Sequence, residues 1–502
     1  MIGDFKIIEK INQLKKSKKT IGLCHGVFDL LHYGHLQHFK VAKKKCDFLF
    51  VSITSDQYID KGPGRPVHND NERLFILRNL KFIDHVFVAE GNSGVHSIKL
   101  IKPDFYFKGN DYKNNASDKT KKIFKEIHAI KKHNGKIIYT NEKEMSSSKI
   151  INQTGLALNK KQQNFFSQIQ KKENYDSIIN SINKLKTEKV LVVGDLIIDE
   201  YIFGHVLGKS GKEPHMVFKD NIRELYLGGS SIIANHLSSF ADKVTLVSDL
   251  GPEKQIKNLL KKKLKKNVKH ISLLPSKDFK SCIKTRFVDD LTKYKLFGSY
   301  HIPYLETPNF YQSLNKELNI LLKDHDIIIV ADFSNNFFNK NILKRIKKSK
   351  KFISAMSQKN SNNASFHTLD HFKNFDLLCI NEGELRSEFK DNKTSIDLLA
   401  KKFLKANKFK FLVVTRGIDG SILFDSKLKK YTCPSFNLKP VDKIGAGDSM
   451  LAILSIFLKN KINPHVSLLV ASLVASKVVN FPGNFFTASK VEIKRNLEFL
   501  FK

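Results

Sequence analysis

The stretch IGLCHGVFDLLHYGHLQHF, residues 21–39, begins as a short apolar run, leaves it at His25-Gly26, and meets Gly34 where a helical pattern starts. It places His25, His32, His35 and His38 close to Asp29. An apolar run of this length, then a glycine, then a helix reads as a buried strand entering a crossover. At the carboxyl end of such a strand, unpaired N–H groups and the positive end of the helix dipole face any anion that binds. His32 and His35 on that turn would then face phosphate. A zinc site is the competing reading, but His32, His35 and His38 lack the i, i+4 spacing of HExxH. His38 is expected on the helix surface or in packing.

Outward from this stretch, the runs DFLFVSI, HVFVA, DFYF and KIIYT alternate with helical patterns as far as about residue 151. That alternation predicts a parallel sheet with crossover helices. The chain then turns polar (NKKQQNFFSQIQKKENYDS), and residues 156–188 are expected to be a linker with one helix over 178–185. A second alternation starts at KVLVVGDLIIDEYIFG, residues 189–204, and closes with DKIGAGDSMLAILSIFL. Segments 201–226 and 284–304 fit strands of a small lid sheet inserted on that core. The predicted class is α/β: a Rossmann-like domain over 1–155, the linker, and a larger doubly wound domain with a β lid over 189–502.

Composition narrows the function classes. The 502 residues carry 86 Lys and Arg against 49 Asp and Glu, a formal charge of +37. Such a balance raises nucleic acid or an anionic membrane as partners. The lysines, however, are spread in short runs along the whole chain beside abundant Asn and Ile, which reads first as a compositional bias, next as a fit to anionic small substrates, and disfavours nucleic acid. Five cysteines with no CxxC pair argue against a disulfide framework or zinc knuckle and for a reducing cytoplasm. Neither a signal peptide nor a membrane span is expected, because the longest apolar runs fall short of the roughly 20 residues a span requires.

The pattern G-x-F-D-x-x-H-x-G-H, followed by GRPVHNDNER, FKGNDYK and MSSSKII, resembles the cytidylyltransferase-like nucleotidyltransferases. The resemblance implies that His32 and His35 hold the triphosphate and stabilise charge on the attacked α-phosphoryl group. It gives Lys43 the neutralising of phosphate charge, and Arg73 a reach to the nucleotide from the other side. Asp29 shapes the site with Gly26 and Phe28, Lys108 contacts nucleotide, and Ser146, Ser147 and Ser148 cap a helix against the β/γ-phosphates. No protein nucleophile is needed, since positioning, electrostatics and Mg²⁺ supply the rate.

In the second half, VVGDLIIDEYIFG, GGSS (228–231), NEGE (381–384), TRGIDG (415–420) and DKIGAGDSM (442–450) resemble the PfkB/ribokinase-type sugar kinases. The resemblance implies a sugar site with Asp195, Asp199, Gly228, Gly229 and Asp332. Asn381 and Glu384 would organise Mg²⁺ and phosphates indirectly, Thr415, Arg416 and Gly417 would lie along the nucleotide, and the turn Gly445, Ala446, Gly447 would cradle phosphate. Asp448 would be the general base. The family's asparagine soon after the double glycine is replaced by Ile232 and Ile233, with Asn235 a few residues late.

Together the halves resemble, in reversed order, the bifunctional enzymes that make ADP-activated heptose. That implies ATP-dependent phosphorylation of a heptose 7-phosphate-like sugar and nucleotidyl transfer from ATP or CTP to a sugar 1-phosphate. It also implies a separate phosphatase and, as is common for this kinase fold, a homodimer. Two alternatives stay open: a kinase-like half that acts on another sugar or only binds nucleotide, and a basic nucleic-acid-binding protein.

Overall fold

The computed structural model describes every residue except 1, 60, 63, 111–121, 141–157, 187, 304, 306, 360–367, 438, 439 and 502. It divides into two compact units, with the division between residues 159 and 160.

In the first unit, β1 (Ile21–Gly26), β2 (Phe48–Thr54), β3 (His85–Ala89), β4 (Phe105–Gly109) and β5 (Lys136–Thr140) form a sheet in the order β3-β2-β1-β4-β5. All four described pairings are parallel. Near-continuous apolar strands such as FLFVSI suit a sheet covered on both faces, and two clusters bear this out. Leu23, Phe50 and Tyr106 pack on one side and Cys24, Val51 and Phe107 on the other. Strand order reverses between β1 and β4, so the crevice of this sheet opens at the carboxyl end of β1.

The second unit holds a nine-stranded sheet. Its strands are β6 (Lys189–Gly194), β9 (Lys243–Asp249), β10 (Val268–Leu273), β13 (Ile327–Asp332), β14 (Phe352–Ser357), β15 (Leu377–Asn381), β16 (Phe411–Thr415), β17 (Ser421–Asp425) and β18 (Lys430–Cys433). They run in the order β10-β9-β6-β13-β14-β15-β16-β17-β18, with only the last two pairings antiparallel. The order reverses between β6 and β13. The expected lid is a separate sheet of β12 (Lys295–His301), β11 (Cys282–Asp289), β7 (Leu196–Lys209) and β8 (Met216–Gly229), in that order.

Most of the described part of the expected linker is built into the second unit. Helices Lys160–Gln170 and Tyr175–Asn183 belong to the second unit, with Phe165, Phe166, Ile169, Ile178 and Ile182 buried. The polar composition hid the amphipathic face of the first; the second, expected over 178–185, starts earlier, at a reciprocal Asn174–Ser177 capping box.

Candidate functional sites

In the first unit, helix Tyr33–Lys43 starts at the crevice, and His32 is its N-cap. The His35 backbone N–H donates to His32 Nδ1 at 3.4 Å. Burial draws the His32 pKa below the ordinary histidine value, with its backbone bond opposing. A neutral His32 whose Nδ1 accepts therefore carries its proton on Nε2, as a donor. The two rings stack with centroids 3.8 Å apart, and His35 meets the edge of Phe28 at 5.3 Å. Phe28 adopts φ 49° and folds back over Gly26, where a Cβ would collide with its ring. This close approach fixes the glycine and the aromatic of the G-x-F pattern together.

Asp29 is buried, paired with Arg65 Nε at 2.5 Å and accepting from the Val67 and His68 N–H groups at 2.7 and 3.0 Å. It pins the GRPVH loop beside the histidines. Lys108, at the end of β4, pairs with Glu126 Oε2 at 3.0 Å, and both are buried. Glu126 also accepts from the Gly94 N–H and the Tyr106 hydroxyl. Burial opposes its ionised form, but Lys108 and His25 prevail and hold the carboxyl below its ordinary value. Glu126 escaped sequence reasoning because a lone acid in KIFKEIHAIK looks like a solvated charge. His38 is buried, with Nδ1 2.6 Å from the Thr140 hydroxyl.

Two expectations are corrected. Lys43 ends the helix that His32 caps, about 12 Å along the axis from His35 at 1.5 Å per residue. There it donates to Asp84 Oδ2 and the Asp47 carbonyl, each at 2.6 Å, so it braces the far end of the crossover. Arg73 does not reach out to a nucleotide. Its fully buried guanidinium donates to the carbonyls of His68, Val27 and Thr54 and to Asp56 and Asp70, tying the loop after β1 to the end of β2. Ser146, Ser147 and Ser148 lie outside the described residues.

The second unit has a cleft of about 600 Å³. The turn before helix Ala446–Lys459 forms part of its wall, with Gly445 at φ 82° as N-cap. Asp448, in the first turn, lines the same cleft, and its Oδ1 has no hydrogen-bond partner among the described residues. Burial pushes the Asp448 carboxyl up to about 7, with Asp199 adding to the rise and Lys284 opposing it.

Asp199, Gly229, Lys284, Arg286 and Phe333 line the cleft as well. Arg286 donates to Asp199 Oδ1 at 2.6 Å, and Asn484 donates to Oδ2 at 3.3 Å. Gly228 lies against Asp199, where a Cβ would strike its carboxylate. Asp195 and Asp332 lie at the reversal between β6 and β13, both buried. Asp195 Oδ2 accepts from the Phe333 N–H at 2.8 Å, whereas Oδ1 has no partner among the described residues. Burial, with Asp249 and Asp332 close by, raises the Asp195 carboxyl well above the carboxylate range. Asp332 Oδ1 accepts from the Ser334 N–H. Asn235 does not replace the missing asparagine: its amide donates to the Lys263 carbonyl and accepts from the Lys265 N–H.

The fold brings Asn381, Glu384, Thr415, Arg416 and Gly417 to the same cleft. Asn381 caps helix Glu382–Phe389, and the Glu384 carboxylate accepts in return from the Asn381 N–H at 2.9 Å. Burial pushes Glu384 up to about 7. Arg416 Nε donates to Glu382 at 2.8 Å, fixing the β16 turn to that helix. Lys284 and Arg286 sat outside every motif and read in the sequence chiefly as solvated charges near the lid that could bind a phosphate on the sugar; both are buried and line the cleft.

Comparisons with known proteins agree with this geometry. Residues 23–153 match the cytidylyltransferase-like family model, and residues 187–487 match the pfkB family carbohydrate kinase model. Over the N-terminal domain the chain is 38% identical across 115 residues to the bifunctional protein HldE of Nitratiruptor sp. (22% of this chain, 25% of that protein). It is 39% identical across 114 residues to the same-named protein of Sulfurimonas denitrificans (22% and 24%). The chain thus spans about a quarter of the length of these curated relatives. Among solved structures, it superposes on Escherichia coli phosphofructokinase-2 with a TM-score of 0.51 at 15% identity, covering 63% of this chain and 100% of that one. For Thermotoga maritima ribokinase the TM-score is 0.50 at 20% identity, covering 62% and 99%, and at these identities the likeness concerns the fold. With more than half of its residues matched, the chain belongs to the pfkB family of carbohydrate kinases, and a cytidylyltransferase-like domain precedes its kinase fold.

Proposed function

We propose that the chain activates a sugar in two phosphoryl-group chemistries, one per unit. In the second unit, a sugar hydroxyl beside Asp448 loses its proton to Oδ1 as its oxygen attacks the γ-phosphorus of ATP, and ADP leaves. The observation that carries this reading is the unpartnered buried Asp448 Oδ1 at a glycine-opened helix N-terminus, in one cleft with Asp199 and the Thr415–Gly417 turn. A base whose pKa lies near the working pH combines availability with driving force. The helix N-terminus and the Gly445–Gly447 turn offer backbone N–H groups to the transferring phosphoryl group.

Mg²⁺ fits this donor set through Asn381 and Glu384. Their oxygens are hard donors, and among the described residues no group of three or more His, Cys, Asp or Glu forms a protein-only metal cage. When bound with the nucleotide, the ion would neutralise charge on the β- and γ-phosphates. Asn381 and Glu384 hold each other rigid at that position.

In the first unit, a sugar 1-phosphate oxygen attacks the α-phosphorus of ATP or CTP and pyrophosphate leaves. His32 Nε2–H and the amides at the start of helix Tyr33–Lys43 would stabilise the growing negative charge, with His35 held against His32 and Phe28. The resemblance to ADP-heptose-forming enzymes makes a heptose phosphate the first substrate to try, and a separate phosphatase then removes the 7-phosphate between the two steps. One observation favours a second reading of the kinase half, namely a different sugar. Ile232 and Ile233 are buried where the family contacts hydroxyls, and Asn235 is engaged by Lys263 and Lys265. A panel of sugars and sugar phosphates, incubated with ATP and CTP and read by mass spectrometry, should give a mass gain of one phosphate and then an NDP-sugar. No phosphorylated sugar from any member would overturn the kinase assignment.

A further inference from the structure

The helix Lys160–Gln170 lies outside residues 187–487, which match the kinase family, yet it touches the wall of the nucleotide cleft. Gln162 is buried and its Nε2 donates to the Ser435 carbonyl at 2.6 Å. Phe165 and Phe166 pack on Phe436, with centroids 6.3 and 5.5 Å away. Ser435 and Asn437, on either side of that phenylalanine, both line the cleft. They are linked in turn: Ser435 Oγ donates to the Asn437 carbonyl at 2.7 Å and accepts from the Asn437 N–H at 3.3 Å. Asn437 Nδ2 reaches Asn480 Oδ1 at 2.6 Å. By register, Cys433 sits opposite Ser421, so the 434–437 loop runs beside the turn that carries Thr415, Arg416 and Gly417.

We infer that Gln162 is a positioning residue for nucleotide binding: with Phe165 and Phe166 it holds the 434–437 loop, and through it Ser435 and Asn437, in the shape that receives the nucleotide. This rests on the kinase reading of the cleft. The bonds within the loop join Ser435 to Asn437 and Asn437 to Asn480, while Gln162 and the two rings pack behind it. A buried amide bond to a carbonyl fixes direction, while the two rings fix distance. A helix absent from the family's matched span thereby finishes a site that the family motifs only begin.

The test uses the full chain and Mg·ADP as probe, followed by calorimetry and by thermal melting. Gln162→Glu keeps the size but has no N–H to offer Ser435; Gln162→Ala removes the group. Ile182→Ala, on the next helix, deletes buried packing of a comparable kind. Each Gln162 variant should weaken ADP binding about five-fold, the range of one lost buried hydrogen bond. Ile182→Ala should lower the melting temperature and leave ADP affinity unchanged. Wild-type affinity in both Gln162 variants would overturn the inference, as would weakening in all three in proportion to lost stability. A wild-type chain that binds no ADP would instead overturn the kinase reading on which the inference stands.

Discussion

The carboxyl of Asp448 feels two opposed influences. The N-terminus of helix Ala446–Lys459 favours its negative charge, whereas complete burial and the neighbouring Asp199 disfavour it. Burial wins, placing the group at about 7 against 3.8 for a free aspartate. Sugar-dependent ADP production should therefore rise with pH to a plateau with its midpoint near 7, and Asp448→Asn should remove it by at least about a thousandfold. Stability should move the other way. A raised folded-state pKa means a contribution fully present below the unfolded value and lost as pH rises through 7. At pH 8 that loss is on the order of 4 kcal/mol. Since the amide introduced by Asp448→Asn cannot ionise, that variant's melting temperature should gain on that of the wild type as pH rises, chiefly between about pH 4 and 7. Asp195, Asp249 and Glu384 titrate in both proteins and cancel in the difference. A gap that stays constant with pH would sink the argument. The place of Asp448 in the first turn of a glycine-opened helix was legible in GAGDS, because the glycines mark the turn and the apolar run after them marks the helix. The fate of Arg73 was not legible, because whether a guanidinium faces ligand or protein depends on carbonyls at Val27 and Thr54, distant in sequence.

Among the elements, the strands were readable because a parallel sheet buried on both faces leaves continuous apolar runs such as IIIVAD and FLVVT. Of the helices of 160–183, the second was expected a few residues late, over 178–185, and the first was missed because only one narrow face is apolar and its surroundings are rich in Lys, Gln and Asn. Lys43 was misplaced for a related reason: sequence proximity to His35 conceals the length of the intervening helix. The phosphate turn allows a sharper statement about elements. Gly445 has φ 82°, and a Cβ there would strike Asn484 and touch Val478, whereas Gly447 has open space around its missing Cβ. Gly445→Ala combines a left-handed alanine, costing about 1–2 kcal/mol, with that collision. It should lower the melting temperature by several degrees and cut sugar-dependent ADP production at least tenfold. Gly447→Ala should melt like the wild type, yet lose activity where a methyl group stands between the backbone and phosphate. Equal destabilisation by the two substitutions would contradict this reading of the turn.

At the scale of the whole chain, each unit carries a candidate site and hydrophobic clusters of its own among the described residues, over residues 7–138 in the first and 191–428 in the second. His35→Ala removes a ring that stacks on His32 and abuts Phe28, and it should reduce pyrophosphate release from NTP and sugar 1-phosphate by at least about a hundredfold. The same variant should leave sugar-dependent ADP production within about two-fold of wild type, as expected where the two sites act independently. Asp448→Asn should give the mirror image, abolishing ADP production while pyrophosphate release persists. Both assays are run on one preparation of each variant, so expression level and folding yield cannot mimic the contrast. If either substitution removes both activities, the chain works as one coupled catalyst, and the assignment of one phosphate chemistry to each glycine-opened turn fails.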